Sequence, residues 1–110
     1  MYKRGEIVLI PVPFTDLSSV KRRPVLIISN MAHNSTDRDI IVVAITSNLR
    51  QNGITIETKD LLTGELPKKS IIRCDKIYTL EQQIVIKQLG IVSESVLNNV
   101  ISDINKLITE

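Results

Sequence analysis

Two short stretches of the chain carry residue types that suit phosphate chemistry. The first is the cationic run Lys-Arg-Arg at residues 21–23, which is followed at once by Pro24 and an apolar, β-branched segment. The second is the hydroxyl pair Thr46 and Ser47, which follows another apolar segment. A guanidinium presents planar, forked donors that match phosphate oxygens, and a hydroxyl can donate to the same group. Together the two stretches predict a site that binds and polarises a phosphodiester.

Arg23 differs from the two cations before it because a proline follows it. Pro24 is predicted to be the first residue of a strand over residues 24–29, where its missing N–H costs least. It also biases Arg23 towards an extended backbone. Arg23 should therefore project from the point where a loop meets a stiff strand, while Lys21 and Arg22 lie in the loop and attract phosphate diffusely. The alternative interpretation is that the three cations only keep a loop soluble.

Thr46 follows residues 39–45 (DIIVVAI), which predict a third strand. In an antiparallel pair, the start of one strand lies beside the end of its neighbour, and consecutive strands are usually neighbours. If the second and third strands pair, Arg23 and Thr46 share one rim of the sheet. The alternative interpretation of Thr46, Ser47 and Asn48 is an ordinary turn at the end of a strand.

Other common catalytic patterns are missing from the sequence. His33 is the only histidine, so neither a two-histidine ribonuclease site nor a histidine-rich metal site can form. Cys74 is the only cysteine, which excludes an intrachain disulfide and disfavours a thiolate metal site. The glycines are too dispersed for a phosphate-binding loop, and the carboxylates form no compact cluster. We therefore expect a site without a metal ion or another cofactor.

The elements that must hold this rim are short strands followed by one helix. The 110 residues, 43% hydrophobic and 24% charged with a formal net charge of +2, predict one globular domain over residues 1–110. Strands are predicted at residues 5–12, 24–29, 39–45, 54–58, 70–76 and 84–86, with loops at residues 15–21, 30–37 and 60–69. From Ser93 the apolar residues recur at helical spacing, with Ser93 as N-cap. This pattern favours a small, strongly bent sheet or barrel.

The N-terminus has no apolar signal-peptide region, and no apolar run approaches the length of a membrane span. We expect a cytoplasmic protein without membrane contact.

Several motifs, taken in order, make the sequence similar to the MazF/PemK family of toxins from bacterial type II toxin–antitoxin systems. They are GEIV at residues 5–8, PFTD at 13–16, KRRPVLIIS at 21–29, ITS at 45–47, KS at 69–70, DKIYTL at 75–80 and LG at 89–90. The resemblance covers nearly the whole chain, including the final helix. It implies a mainly β fold with a C-terminal α-helix, an SH3-like small β-barrel of the PemK/MazF/CcdB type, and a homodimer.

The same resemblance implies an activity and a set of site residues. The expected activity is metal-independent cleavage of single-stranded RNA, with messenger RNA as the expected form. Attack by the 2′-OH would leave 2′,3′-cyclic phosphate and 5′-OH ends. Arg23 and Thr46 match the family's catalytic arginine and threonine. The expected RNA-binding residues are Lys21, Arg22, Ser47, Asp75 and Lys76. The expected protein partner is a cognate antitoxin.

Two other functions stay open at this point. One is a non-enzymatic toxin with an SH3-like barrel that inhibits a partner protein, as the structurally related gyrase-poisoning toxins do. The other is a degenerate family member that binds nucleic acid or a partner protein without cleaving. A pure binder does not need the Arg23/Thr46 pair, and incubation with a mixed RNA pool separates these functions.

Overall fold

The computed structural model describes residues 2–13 and 20–110 of the chain. Within those residues, seven strands and two α-helices follow one another. They are β1 (Glu6–Pro13), β2 (Val20–Ile27), α1 (Met31–Thr36), β3 (Asp39–Thr46), β4 (Ile54–Ile56), β5 (Leu61–Gly64), β6 (Ser70–Glu81), β7 (Lys87–Val92) and α2 (Glu94–Ile108). Single 3₁₀ turns at Thr58–Asp60 and Gln82–Ile84 precede β5 and β7.

The strands form one curled antiparallel sheet in the order β4-β6-β3-β2-β1-β7-β5, a half-barrel whose outer strands are β4 and β5. The register shifts between β1 and β7, between β3 and β6, and between β5 and β7. Such irregularities increase the local bend of a sheet, which accounts for the curl. The prediction of a mainly β fold with a strongly bent sheet and a C-terminal helix is confirmed.

Apolar side chains cover both faces of the sheet, because residues alternate between faces along each strand. On the first face, Ile7, Leu26 and Val43 belong to a buried cluster that includes Val96 and Val100 of α2. On the second face lies a separate cluster of Val8, Ile10, Val25, Ile27, Ile40 and Val42. Burying one such side chain contributes about 1.5–3 kcal/mol, so both faces stabilise the sheet. The unbroken apolar runs in the sequence reflect this two-sided burial.

Helix α2 begins where the sequence predicts it to begin. The Ser93 hydroxyl accepts a hydrogen bond from the N–H of Val96 at 3.2 Å, and Glu94 lies in the first turn. Anions are favoured at a helix N-terminus, and a capping hydroxyl satisfies one of its free N–H groups. The apolar stripe is buried near its start, but Leu107 and Ile108 at its end are exposed.

Strand β2 begins at Val20, four residues before the predicted start at Pro24. The cations at residues 21–23 therefore belong to a strand, and the prediction that Lys21 and Arg22 lie in a loop is wrong. Pairing with β1 extends to Pro13 opposite Val20, which gives this segment a hydrogen-bonding partner that the sequence does not reveal. Pro24 lies inside β2, opposite Leu9. The β2–β3 pairing ends at Val25, so the side of Pro24 towards β3 is a free edge that tolerates the missing N–H.

Other element boundaries also differ from the sequence predictions. The predicted loop over residues 30–37 contains α1, whose N-cap Asn30 accepts a hydrogen bond from His33 N–H at 2.9 Å. The predicted loop over residues 60–69 contains β5, which pairs with β7 far along the chain. The strand predicted at residues 70–76 continues to Glu81, and β7 begins after the strand predicted at residues 84–86. Most of the loop predicted at residues 15–21 lies outside the described residues.

Candidate active site

Strands β2 and β3 pair as the sequence predicts. Their antiparallel register aligns Val25 with Ala44 and Ile27 with Val42. Continued by two residues beyond the last pair, this register aligns Arg23 with Thr46. Residues two apart on a strand share a face, so both side chains lie on the face of the second apolar cluster. The structure thus brings the two predicted catalytic residues to one rim, where both line the same cavity.

The cavity holds about 570 Å³. Its apolar floor includes Ile10, Val12, Val25, Ala44 and Leu80. Its polar lining includes Arg23, Thr46, Gln51, Arg73, Lys76 and Tyr78. Three cationic side chains around an apolar floor favour an anionic ligand that also has flat apolar parts, and a nucleotide has both properties.

Arg23 is half-buried on β2, opposite Ile10 of β1. Pairing with β1 holds its backbone in a strand rather than in a loop. Within residues 2–13 and 20–110, no carboxylate forms an ion pair with its guanidinium. The charge of Arg23 is therefore not neutralised by a described acidic side chain, and it can act on a ligand in the cavity.

Thr46 is the last residue of β3, and its hydroxyl also organises the turn that follows. Its Oγ1 accepts a hydrogen bond from the N–H of Asn48 at 3.1 Å. The Asn48 side chain in turn accepts from the N–H of Arg50 at 3.1 Å, and its carbonyl accepts from the N–H of Gln51 at 3.2 Å. The Thr46 hydroxyl keeps its own proton for donation, because its only hydrogen bond within the described chain is an accepted one. Ser47 is exposed in this turn and does not line the cavity.

An irregularity between β3 and β6 shapes the opposite wall. Ala44 aligns with Arg73, but its neighbour Val43 aligns with Ile77. Three residues of β6, at positions 74–76, therefore have no counterpart on β3. We call this segment the β6 bulge. It brings Lys76, one of the predicted RNA-binding residues, to the cavity lining.

Arg73 is a site residue that the sequence analysis missed. Its Nε and Nη2 donate to the two carboxylate oxygens of Asp75 at 3.0 and 2.9 Å, and its Nη1 donates to Oε1 of Gln51. The hydrogen bonds from Arg73 lower the pKa of the Asp75 carboxyl, and the same bonds raise the pKa of Arg73. The spacing of Arg73 and Asp75 on one strand could have indicated this pair, because such residues share a face. Gln51 gave no signal, since it lies 22 residues away in the chain.

The remaining predicted site residues lie apart from the cavity. Lys21 and Arg22 are exposed on β2, opposite Val12 and Pro11. Asp75 pairs with Arg73 and is not part of the lining. The RNA-binding roles of these residues, and of Ser47 and Lys76, stay predictions.

Neither of the other candidate reactive groups lies at the site. Cys74 is buried on the first face of the sheet, and burial, with a smaller contribution from the Asp103 carboxylate, raises the pKa of its thiol to about 12. His33 lies in α1, away from the cavity. Across the described ranges, no three histidine, cysteine or acidic side chains come together as a metal site would require. A helix with the length and apolar character of a membrane span is likewise not found in the described part of the chain.

Comparison with known proteins agrees with this architecture. The family model described as "PemK-like, MazF-like toxin of type II toxin-antitoxin system" matches residues 3–108. No protein with a curated description matches the chain. A MazE-MazF crystal structure from Deinococcus radiodurans superposes with a TM-score of 0.77 at 19% identity, covering 97% of this chain and 95% of the other.

Two mycobacterial structures are also similar. An endoribonuclease in complex with its cognate antitoxin, from a mycobacterial species, gives a TM-score of 0.75 at 21% identity, covering 96% of this chain and 93% of the other. The Mycobacterium tuberculosis toxin MazF-mt6 gives 0.67 at 19% identity, covering 90% and 93%. At these identities the structures establish the fold, and the family match over almost the whole chain establishes the lineage. The chain belongs to the PemK-like, MazF-like toxins of type II toxin–antitoxin systems.

Proposed function

We propose that the protein is a toxin-type endoribonuclease that cleaves single-stranded RNA. The main support is the cavity in which Arg23 and Thr46 lie on one rim. Arg23 has no acidic partner among the described residues, and the Thr46 hydroxyl can still donate its proton in a hydrogen bond. Family membership supports the proposal, and so does the fold shared with a mycobacterial protein that is named an endoribonuclease.

In the proposed reaction, the 2′-OH of the RNA attacks the adjacent phosphorus. The bond to the 5′-oxygen breaks, which leaves a 2′,3′-cyclic phosphate and a 5′-OH end. Arg23 stabilises the charge that develops on the non-bridging oxygens, and the Thr46 hydroxyl donates a hydrogen bond that orients the same phosphate. A guanidinium gives up protons very reluctantly, so we assign Arg23 to charge stabilisation and not to proton transfer. Water accepts the proton of the 2′-OH, and the departing 5′-oxygen takes up a proton from water.

The substrate should be single-stranded, because the attacking 2′-OH and the flanking bases must turn away from a helical stack. Tyr78 supports this requirement, since its ring lines the cavity and is 48% exposed. An exposed aromatic ring can stack on an unpaired base. Lys76 in the cavity, with Lys21, Arg22 and Ser47 outside it, would add phosphate contacts, and Asp75 would act by holding Arg73.

We also propose a cognate antitoxin and a second copy of the chain as protein partners. The mycobacterial relative was crystallised with its antitoxin, which supports the first. Exposed apolar side chains at the end of α2, Leu107 and Ile108, support association of two copies. β1 contributes little apolar surface to such an interface, because its side chains Ile7, Val8 and Ile10 are buried within one chain. Light scattering at micromolar concentration should report a dimer, and a fully active monomer would contradict it.

Incubation of the purified protein with a mixed RNA pool tests the proposed activity. We expect defined fragments from the native protein and none from an Arg23→Ala variant that retains the native circular dichroism spectrum. Binding of RNA without fragments would instead indicate a degenerate, non-cleaving member. Neither binding nor cleavage would point to a toxin that acts on a partner protein.

A further inference from the structure

A second part of the cavity, the pair Gln51 and Arg73, offers hydrogen bonds that suit an RNA base rather than a phosphate. This interpretation rests on the proposed function. Gln51 and Arg73 meet at the cavity wall, and the direction of their hydrogen bond is fixed by chemistry. A guanidinium can only donate, so the Gln51 side chain must present its oxygen to Arg73. The two N–H bonds of the Gln51 amide then have no acceptor within the described ranges, and the Gln51 side chain is exposed.

Arg73 adds further donors to the same wall. Of its five N–H bonds, two are taken by Asp75 and one by Gln51. Two N–H bonds, one on each terminal nitrogen, are left over beside the Gln51 amide. The only acceptor of the pair, the Gln51 amide oxygen, is turned towards Arg73. The wall therefore presents mainly donors to a ligand: two amide N–H bonds and two guanidinium N–H bonds.

We propose that Gln51 and Arg73 form a nucleobase subsite that selects a base edge with two adjacent hydrogen-bond acceptors. Guanine has such an edge at O6 and N7, which is the edge that arginine donors recognise in nucleic acids. Cytosine has another at N3 and O2. Adenine places an amino donor beside N1 and beside N7, and uracil separates its two oxygens by an N–H. A wall made mainly of donors therefore discriminates against adenine and uracil.

The surrounding structure holds both side chains in place. The Asp75 carboxylate accepts two parallel hydrogen bonds from Arg73, and this geometry fixes the guanidinium plane. The Asn48 carbonyl holds the Gln51 backbone N–H in the turn that begins at Thr46. Because this turn starts at the proposed phosphate ligand, the selected base should belong to a nucleotide next to the cleaved bond. Asp75 is then a positioning residue that acts through Arg73.

Cut-site sequencing of a randomised RNA pool tests the subsite. Gln51→Glu retains an oxygen for Arg73 but removes the amide donors, and Asn52→Asp introduces the same charge at the neighbouring exposed position as a matched control. The wild-type protein and Asn52→Asp should favour guanine or cytosine at one position beside the cut. Gln51→Glu should reduce that preference about tenfold, the effect of losing roughly one hydrogen bond. Arg73→Lys, which keeps the charge but loses the fork, should relax the same position.

Base analogues decide between the two bases. If guanine is favoured, 7-deazaguanosine, which lacks N7, should reduce cleavage by the wild-type protein about tenfold and cleavage by Gln51→Glu little. If cytosine is favoured, 3-deazacytidine should have that effect. An unchanged profile for Gln51→Glu, a wild-type preference for adenine or uracil, or equal analogue effects on both proteins would overturn the subsite while leaving the ribonuclease intact. The ribonuclease itself fails if Arg23→Ala and wild type behave alike, and the subsite then fails with it.

Discussion

Removal of the Thr46 hydroxyl should separate its effect on the reaction from its effect on the fold. Thr46→Val keeps the shape and β-branching of the side chain but eliminates both hydrogen bonds of the hydroxyl: the one accepted from Asn48 and the one proposed to the phosphate. Loss of one positioned donor to developing charge typically costs on the order of 10²–10³ in rate. We expect a loss of that size in the single-turnover cleavage rate.

The stability cost should be much smaller. Asn48 is exposed, so its N–H can bond to water when Thr46 is replaced, and a typical intramolecular hydrogen bond contributes only about 0.5–1.5 kcal/mol. For a chain of this length, 1 kcal/mol corresponds to about 4 °C in Tm. Even a domain at the low end of natural stability, about 5 kcal/mol, would keep more than about 99% of its molecules folded after such a loss. Unfolding therefore cannot explain a hundredfold fall in rate at 25 °C.

Two further variants control for the turn. Thr46→Ser restores the hydroxyl and should recover most of the rate. Asn48→Ala loosens the same turn, because it removes the bond from Arg50 N–H, but it leaves the Thr46 hydroxyl in place. Rates should be measured on a fluorogenic RNA oligonucleotide with enzyme in excess, and Tm by circular dichroism. If Asn48→Ala loses as much activity as Thr46→Val, the hydroxyl acts through the turn and its assignment to the phosphate is refuted.

Three other predictions follow from the same structure. Arg23→Ala should reduce the cleavage rate by about 10²–10³, because it removes the proposed charge stabilisation. Lys21→Ala should mainly flatten the dependence of RNA affinity on salt. Equal rate losses in the two variants would contradict these separate roles. Burial raises the pKa of the Cys74 thiol from near 9 to about 12, so the native state binds this proton more tightly than the unfolded state does. The free energy of unfolding should therefore fall as pH rises from about 9 to about 12. Urea melts of Cys74→Ala should show a smaller fall over this range, and an equal fall would disprove the linkage. Gly53 has φ +152°, and a Cβ there would lie 2.1 Å from the Ile72 carbonyl oxygen. Gly53→Ala should therefore lower the free energy of unfolding, measured in urea melts, by at least about 1–3 kcal/mol. A variant as stable as wild type would show that this turn relaxes freely.

The sequence predicts the site to the extent that local pattern determines it. Apolar runs mark β2 and β3, and the tendency of consecutive strands to pair is enough to bring Arg23 and Thr46 to one rim. Ser93 and the helical period after it predict α2 for the same reason, because a capping residue and an apolar stripe are local signals. What this geometry does chemically is a separate question, and the catalytic roles stay predictions.

The rest depends on partners that are distant in the chain. β5 is only four residues long and ends at a glycine, and it forms because β7 pairs with it. The first residues of β2 are strand because β1 offers a register for them, although a cationic run before a proline resembles a loop. The β6 bulge arises from a register shift that no composition reveals, and the bond between Gln51 and Arg73 joins segments 22 residues apart. The sequence indicates which side chains can bind phosphate, but it does not indicate that Gln51 and Arg73 meet at the cavity wall.

In the proposed reaction, Arg23 and Thr46 promote attack by the RNA's own 2′-OH. The most direct measurement is mass spectrometry of the fragments from one RNA oligonucleotide, cut in the presence of EDTA, beside a copy with a single 2′-deoxy substitution at the cut site. We expect 2′,3′-cyclic phosphate and 5′-OH ends in EDTA, and no cleavage of the substituted copy. Fragments with 5′-phosphate ends, cleavage that stops in EDTA and returns with magnesium, or cleavage of the deoxy-substituted bond would contradict it.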